Sequence, residues 1–284
     1  MAELLKGLEV TKAMKEEMSV EVEKLNSMGI TPTLGIIRVG TRPDDLSYEK
    51  GAIKRCESVG VKVKVFELAE DISQAELENK IKEINNDKLI NGILLFRPLP
   101  DHLNEERVKF LVSPEKDIDC MNPINIAKVF AGDESGFAPC TPEAVIEILD
   151  HYNIPIQGKN VVIIGRSMIV GKPLSMLLLK RNATVTICHT KTKNITDITK
   201  NAEILIVAAG KAKLVTKDYI SPGAVVIDVG INVDENGNLC GDVDFSSAEE
   251  VAGKITPVPG GVGTVTTSVL VKHIIKAAKL NNLL

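Results

Sequence analysis

The sequence predicts an α/β protein of two domains, each built on a parallel sheet, and three observations support this. The chain has 284 residues, enough for two domains of ordinary size. Short β-branched runs alternate with apolar residues at helical spacing along almost the whole chain, which is typical of βαβ units. Hydrophobic residues make up 44% and charged residues 25%, as in a globular chain with a sizeable core.

The first half of the chain contains three predicted strands separated by two predicted helices. The strands are 33–39, 61–68 and 90–96, and the helices are 48–59 and 73–86. Ser73 and Glu76 fit a capping box at the start of the second helix. A βαβαβ succession of this kind predicts a parallel sheet with right-handed crossovers.

A second βα series follows a proline- and glycine-rich stretch over 96–141 and a helix predicted over 142–152. Its predicted strands are 160–165, 184–189, 203–210 and 224–232. They are continuous apolar runs, so we expect strands that are buried on both faces. An amphipathic helix is predicted over 264–281. The predicted domains are 1–145, joined by the C-terminal helix 264–284, and 146–263.

The composition argues against several classes of function. The net charge is −4 and aromatic residues make up 3%, so neither nucleic acid nor an anionic membrane is an expected partner. No apolar run reaches the ~18–20 residues of a membrane span, and the first residues lack a signal-peptide core. Five dispersed cysteines without a CxxC pair predict a reducing cytoplasm, and four histidines without metal spacing predict no metal site.

The most informative local motif is a glycine-rich turn between a predicted strand and a helix. It reads Gly165-Arg166-Ser167-Met168-Ile169-Val170-Gly171-Lys172-Pro173. Backbone N–H groups of such a turn can approach a pyrophosphate at the positive end of a helix. The turn departs from GxGxxG because Ser167 occupies the second glycine position. A P-loop is excluded because Pro173 replaces the Ser or Thr that binds magnesium. An ordinary strand-to-helix turn is the alternative.

The end of the next predicted strand favours NADP over NAD. An NAD site usually places Asp or Glu about 20 residues after the turn, where it binds the ribose 2′-hydroxyl. Here residues 189–193 read His-Thr-Lys-Thr-Lys, without an acid. Thr190, the neighbouring lysines and Arg166 can instead surround a 2′-phosphate. The alternative is that these lysines belong to a solvated loop.

Further motifs carry a resemblance to a known family. With the turn at 165–173, they are KDID at 116–119, PCTP at 139–142, DVGIN at 228–232, GDVDF at 241–245 and TPVPGGVG at 256–263. Together they closely resemble methylenetetrahydrofolate dehydrogenase/methenyltetrahydrofolate cyclohydrolase over essentially the whole chain. The resemblance implies an N-terminal α/β domain and an NADP-binding Rossmann domain with folate in the cleft between them. It also implies a cytoplasmic homodimer that acts on tetrahydrofolate derivatives.

The resemblance implies roles for individual residues. The positions that match cofactor contacts are Gly165, Arg166, Ser167, Thr190 and Ile231. The positions that match the folate site are Tyr48, Asp119, Pro259, Gly260 and Gly261. Of these, Tyr48 would orient the pteridine or its one-carbon bridge, and Asp119 would hydrogen-bond the pterin ring nitrogens. Both are therefore predicted as catalytic.

The sequence departs from the family pattern at three places. The active helix of the family carries Tyr-x-x-x-Lys, but the residue four positions after Tyr48 is Ala52. The strand-end motif Gln-Leu-Pro-Leu-Pro begins here with Phe96, at the position of the glutamine that supports the lysine. KDID is followed by Cys120 and Met121, where Gly and Phe are usual.

The two activities of the family need different chemistry. Hydride transfer to nicotinamide mainly needs position and electrostatics. Hydrolysis of the methenyl cation needs proton removal from water, to which a lysine of lowered pKa is suited. Lys50 and Lys54 are predicted to face away from Tyr48. We therefore expect an NADP-dependent dehydrogenase with weak or absent hydrolysis. The alternatives are a non-catalytic folate- and NADP-binding paralogue and an NADP dehydrogenase of another substrate.

Overall fold

The computed structural model describes residues 2–282, which form two compact units. The six-stranded unit comprises Met1–Lys12 and Thr141–Thr266, and the three-stranded unit comprises Ala13–Cys140 and Thr267–Leu284. The two-domain α/β class with parallel sheets is confirmed. The predicted boundaries 1–145, 146–263 and 264–284 stay a prediction, and these units differ from them mainly at residues 1–12.

The helices and strands are numbered in chain order. The helices are α1 (Gly7–Ser27), α2 (Pro43–Glu57), α3 (Gln74–Asn86), α4 (Glu105–Val108), α5 (Pro123–Ala131), α6 (Cys140–His151), α7 (Gly171–Lys180), α8 (Ile195–Thr199), α9 (Phe245–Ala248) and α10 (Val262–Asn281). The strands are β1 (Glu3–Leu4), β2 (Thr33–Val39), β3 (Lys62–Leu68), β4 (Gly92–Leu95), β5 (Asn160–Ile164), β6 (Thr184–Cys188), β7 (Ile204–Val207), β8 (Val225–Asp228), β9 (Asn232–Val233), β10 (Leu239–Cys240) and β11 (Lys254–Ile255).

The three-stranded unit is a parallel sheet in the order β3-β2-β4. The central strand β2 is almost wholly buried, and apolar residues of β2, α3 and β4 form the core of the unit, among them Ile37, Leu77 and Ile93. The predicted capping box of α3 is confirmed, since Ser73 and Glu76 exchange both hydrogen bonds. The predicted start of the preceding helix at residue 48 is wrong. It begins at Pro43, because proline suits the first turn and the next two residues are acidic.

The six-stranded unit is a parallel sheet in the order β1-β11-β8-β7-β5-β6. β5, β7 and β8 are buried, as their apolar runs predict. The prediction that the strand over 184–189 is buried on both faces is wrong. Thr184, Thr186 and Ile187 are exposed because β6 is an edge strand that pairs with β5. The chain order reverses beside β5, which is where open parallel sheets bind ligands.

Several elements have no counterpart in the sequence prediction. They include α1, the short helices α8 and α9, the two-residue strands β1 and β11, and the antiparallel pair β9-β10. Two-residue strands are too short for a periodic pattern, and β1 pairs with β11 at the far end of the chain. Among the helices described within 2–282, none has the length and apolar character that a membrane span requires.

Ser268 offers a test of the packing of α10. Its side chain is fully buried, and its hydroxyl has no hydrogen-bond partner among the described residues. Ser268→Ala should therefore raise the free energy of unfolding by about 1 kcal/mol, as measured by urea denaturation. Ser175→Ala is the control, because its buried hydroxyl donates to the Lys172 carbonyl at 2.6 Å and should give a smaller gain or a loss. A loss of stability in Ser268→Ala would contradict this account.

Candidate active site

At the carboxyl end of the three-stranded sheet, residues from separate elements come together. Tyr48 on α2 packs edge-to-face against Phe96, which follows β4, with ring centroids 5.8 Å apart. Asp119 accepts the backbone N–H of Cys140 at 3.1 Å. Burial raises the pKa of the Tyr48 hydroxyl well above its usual value, and the nearby Cys140 and Asp119 raise it further. Because Tyr48 is still 39% exposed, its protonated hydroxyl can donate a hydrogen bond to a ligand.

Position 52 lies on the same face of α2, one turn after Tyr48. Ala52 is fully buried, whereas Lys50 and Lys54 are exposed on a helix that is regular throughout. The nearby Arg97 is 3.4 Å from the Glu105 carboxylate, with which it forms an ion pair. No lysine of α2 therefore stands on the buried face beside Tyr48.

A buried arginine fixes α2 to the sheet. Arg38 on β2 is 3% exposed, and its guanidinium donates to Glu49 at 2.9 Å, to Glu67 at 2.9 Å and to the Gly40 carbonyl. Glu49 directly follows Tyr48 in the helix. The ion pair therefore limits rotation of α2 about its axis and orients Tyr48.

The loop that carries Asp119 is held by the buried carboxylate of Asp117. This carboxylate accepts hydrogen bonds at 2.8–2.9 Å from the backbone of Met121, the backbone of Asn122 and the side chain of Asn125. Burial raises the pKa of Asp117, while these hydrogen bonds oppose that rise. Cys120 has a φ of +57°, a conformation that favours glycine. The resemblance places glycine here, so the hydrogen bonds hold a strained turn.

In the six-stranded unit, a cavity of about 540 Å³ lies at the carboxyl ends of β5, β6 and β7. Its lining includes Gly165, Arg166, Ser167, His189, Thr190, Thr192, Ala208, Ala209, Lys211 and Tyr219. Two basic side chains, those of Arg166 and Lys211, line it, and the part of the lining that the structure describes contains no carboxylate. The cavity is therefore suited to an anionic ligand.

Nearby backbone atoms explain why the turn at the edge of this cavity contains glycine. Gly165 has a φ of +133°, and a Cβ there would lie 2.2 Å from the Ala208 carbonyl oxygen. A Cβ at Gly171 would lie 2.1 Å from the Gly165 carbonyl oxygen. Ser167 is not crowded in this way, and its hydroxyl accepts the Val170 N–H at 3.1 Å. The serine thus completes the turn where the usual fingerprint has glycine.

The structure brings four of the five predicted cofactor residues to this cavity, namely Gly165, Arg166, Ser167 and Thr190. Ile231 is not part of the lining. It follows β8, is 66% exposed, and its Cδ1 lies 3.1 Å from where a Cβ at Gly263 would stand. Sequence reasoning missed Lys211 and Tyr219, because they come from segments whose spacing has no pattern. The only local signal is that Lys211 follows a glycine at the end of a predicted strand.

Pro259, Gly260 and Gly261 form the turn before α10, within the six-stranded unit. Gly260 has a φ of +105°, and its carbonyl accepts the Gly7 N–H at 2.8 Å. A Cβ at Gly7 would lie 2.3 Å from the Gly261 carbonyl oxygen. The turn therefore needs glycine and holds the first residue of α1 close to the start of α10.

The motifs DVGIN and GDVDF meet at two buried carboxylates. Asp228, at the end of β8, accepts the backbone N–H groups of Gly230, Asp242 and Val243 at 2.9–3.0 Å. Burial raises the pKa of Asp228 to about 6, against the effect of these hydrogen bonds, and the neighbouring Asp242 adds to the rise. The two motifs thus form one structural unit.

A parallel sheet with a glycine-rich turn and a cationic cavity at its switch point defines a dinucleotide-binding α/β enzyme. The model of the tetrahydrofolate dehydrogenase/cyclohydrolase NAD(P)-binding domain matches residues 139–282, and that of the catalytic domain matches residues 5–119. The chain therefore belongs to the tetrahydrofolate dehydrogenase/cyclohydrolase family, which confirms the resemblance.

Relatives match the chain over nearly its full length. The bifunctional protein FolD of Clostridioides difficile is 58% identical over 280 residues, which covers 99% of this chain and 98% of that protein. The crystal structure of the bifunctional FolD methylenetetrahydrofolate dehydrogenase/cyclohydrolase of Campylobacter jejuni has a TM-score of 0.96 and 42% identity, with both chains fully covered. The Trypanosoma brucei enzyme, complexed with NADP and an inhibitor, has a TM-score of 0.91 and 36% identity over 98% of each chain.

The raised pKa of Asp228 predicts a pH effect on stability. Its pKa is about 6 in the folded chain against an ordinary value of 3.8, so the folded state binds the proton more tightly. The contribution of Asp228 to the unfolding free energy is therefore fully present at a pH below the ordinary pKa of 3.8, and it is lost as the pH rises towards 6. Asp228→Asn cannot titrate. The unfolding free energy of Asp228→Asn minus that of the wild type should therefore rise by about 2 kcal/mol as the pH goes from 4 to 7.

Urea denaturation of both proteins across this range measures the difference. All other carboxylates are common to the pair, so their titration cancels to first order. A difference that does not change with pH would contradict the assignment to Asp228 and its neighbour.

Proposed function

We propose that the chain is an NADP-dependent methylenetetrahydrofolate dehydrogenase that oxidises 5,10-methylenetetrahydrofolate to 5,10-methenyltetrahydrofolate. The observation that carries this proposal is the cationic cavity at the ends of β5, β6 and β7, in a chain of this family. The cavity combines a backbone turn for a pyrophosphate with two cations and no carboxylate in its described lining.

The residues of the cavity fit NADP. The turn of Gly165, Arg166 and Ser167 offers backbone N–H groups at a strand end, and glycine at position 165 allows close approach. Arg166 and the Thr190 hydroxyl are proposed to hold the 2′-phosphate, and Lys211 adds a second cation. Ile231 is proposed to contact the nicotinamide half. When bound, NADP supplies the nicotinamide that accepts the hydride.

The folate residues are proposed to orient the substrate. Tyr48 donates a hydrogen bond from its protonated hydroxyl to the pteridine or to the one-carbon bridge. One oxygen of Asp119 accepts the Cys140 N–H. Its other oxygen has no partner among the described residues and can accept a pterin N–H. Pro259, Gly260 and Gly261 are proposed to line the same substrate.

Hydrolysis of the methenyl product, the second activity of the family, is proposed to be weak in this chain. Ala52 places a methyl group where the family pattern has the amine that would accept the proton of water, and Phe96 packs an apolar ring against Tyr48 where that pattern has an amide. Tyr48 cannot replace the amine because its raised pKa keeps it protonated. Arg97 forms an ion pair with Glu105, and a guanidinium group is not suited to accept a proton from water.

We further propose that the enzyme is a cytoplasmic homodimer. The outer edge of β6 has no partner strand among the described residues, and a second copy could pair with it. All five cysteines are free and buried, which fits a reducing compartment.

The cofactor assignment predicts an asymmetric effect of Arg166→Ala. NADP binding should weaken by about 1–3 kcal/mol, while NAD binding should change little, because NAD lacks the 2′-phosphate. Isothermal titration calorimetry with both cofactors measures this. Lys172→Ala is the control, since this lysine lies in the same turn region but outside the lining of the cavity. Equal losses for NADP and NAD would contradict the assignment of Arg166.

The proposal for hydrolysis predicts a separation of the two half-reactions. The wild type should form NADPH from methylenetetrahydrofolate, while the methenyl absorbance decays slowly. The double variant Ala52→Lys with Phe96→Gln should gain hydrolysis of the order of 10²–10⁴-fold with little change in oxidation. Ala52→Lys alone is the control and should gain less, because the apolar ring of Phe96 still stands beside Tyr48 where an amide would support the lysine.

Three outcomes distinguish the alternatives. Wild-type hydrolysis as fast as oxidation would refute the role of position 52. NADP binding without NADPH formation would favour a non-catalytic binder. NADPH formation with another substrate, but not with methylenetetrahydrofolate, would favour a different dehydrogenase.

A further inference from the structure

The buried side chain of Asp242 connects two loops at the carboxyl end of the six-stranded sheet. Its carboxylate accepts the backbone N–H groups of Ala209 at 2.6 Å, Gly210 at 2.9 Å and Lys211 at 2.8 Å. It also accepts the side-chain amide of Asn232 at 2.9 Å. The first three groups belong to the loop after β7, and the fourth lies at the start of β9, so one side chain holds both loops.

No lysine or arginine among the described residues forms an ion pair with Asp242 or with its neighbour Asp228. Asp242 is fully buried, and its own backbone N–H donates to Asp228 at 3.0 Å. A carboxylate buried without a cation is stable only when several donors surround it. The four donors of Asp242 therefore specify the positions of both loops.

Two glycines leave room for the carboxylates of Asp242 and Asp228 beside the backbone. A Cβ at Gly230 would lie 2.3 Å from the Asp242 carboxyl carbon, and a Cβ at Gly241 would lie 1.8 Å from an Asp228 oxygen. Neither glycine has a positive φ, so the requirement is space and not backbone conformation. The sequence around the carboxylates is thus adapted to this contact.

The loop held by Asp242 forms one wall of the cationic cavity. Ala208, Ala209 and Lys211 line it, and the Ala208 carbonyl closely approaches Gly165 of the opposite wall. The N–H groups of Ala209, Gly210 and Lys211 are all directed to Asp242, so none of them is available to a phosphate. The loop can shape the cavity, while the phosphate donors must come from the turn at 165–167.

We infer that Asp242 is a positioning residue for NADP, which sets the distance between the two walls of the cavity and holds the loop that carries Ile231. It acts through Lys211 and its neighbours and through Asn232, without touching the cofactor. The inference depends on one part of the proposed function, namely that NADP binds in the cavity.

The test compares Asp242→Asn with Asp244→Asn. An amide at position 242 turns an N–H group towards backbone donors, so the loop after β7 must move. Calorimetry should show NADP affinity reduced at least about tenfold. At saturating NADP, kcat should stay within about threefold and the KM for methylenetetrahydrofolate within about twofold of the wild type. The Asp244 carboxylate caps α9, and among the described residues its hydrogen bonds come from Ser246 and Ser247 and from neither loop, so Asp244→Asn should keep the affinity for NADP.

A second variant keeps the inference testable if Asp242→Asn does not fold. Asn232→Ala removes a single donor and should reduce NADP affinity about threefold. NADP affinity unchanged in the folded variants would overturn the inference. So would a parallel loss of NADP and folate affinity, which indicates a general structural defect. A wild type that does not bind NADP would instead contradict the proposed function.

Discussion

Buried carboxylates that accept backbone N–H groups hold the loops at the strand ends of both units. Asp117 does this in the three-stranded unit, and Asp228 and Asp242 do it in the six-stranded unit. Loops at the ends of parallel strands have N–H groups without a sheet partner, and leaving such groups buried and unsatisfied is costly. Each carboxylate satisfies two or three of them at once. The loops are therefore shaped by the protein itself, before any ligand binds.

Close packing and hydrogen bonds of the backbone at these strand ends determine which positions need glycine and which accept another residue. Gly165 and Gly241 are required because backbone or carboxylate atoms occupy the space of a side chain. Ser167 is free to differ from the usual fingerprint because its hydroxyl takes over a turn hydrogen bond. Ala52, which the resemblance places at a lysine position, lies in a regular helix that the ion pair of Glu49 with Arg38 joins to the sheet. Chemistry at this site can thus change while the scaffold stays the same.

The features that the sequence predicted correctly are those that depend on residues close together along the chain. The strand β2 and the capping box at Ser73 follow from local patterns and agree with the structure. The exposure of β6 could not be predicted, because an apolar run does not show whether a strand lies at the edge of its sheet. The position of Lys211 in the cavity depends on Asp242, which lies 31 residues further along the chain. Residue spacing contains no information about such a contact.

The pairing of β1 with β11 has a consequence for the order in which the chain folds. Glu3 and Lys254 are neighbours in the sheet but stand 251 residues apart in the sequence. During synthesis the first strand emerges long before its partner, so the six-stranded sheet cannot be completed until almost the entire chain has left the ribosome. Contacts of such high sequence separation form late and slow the overall folding rate. The edge of β11 then stays open to other strands until β1 closes it.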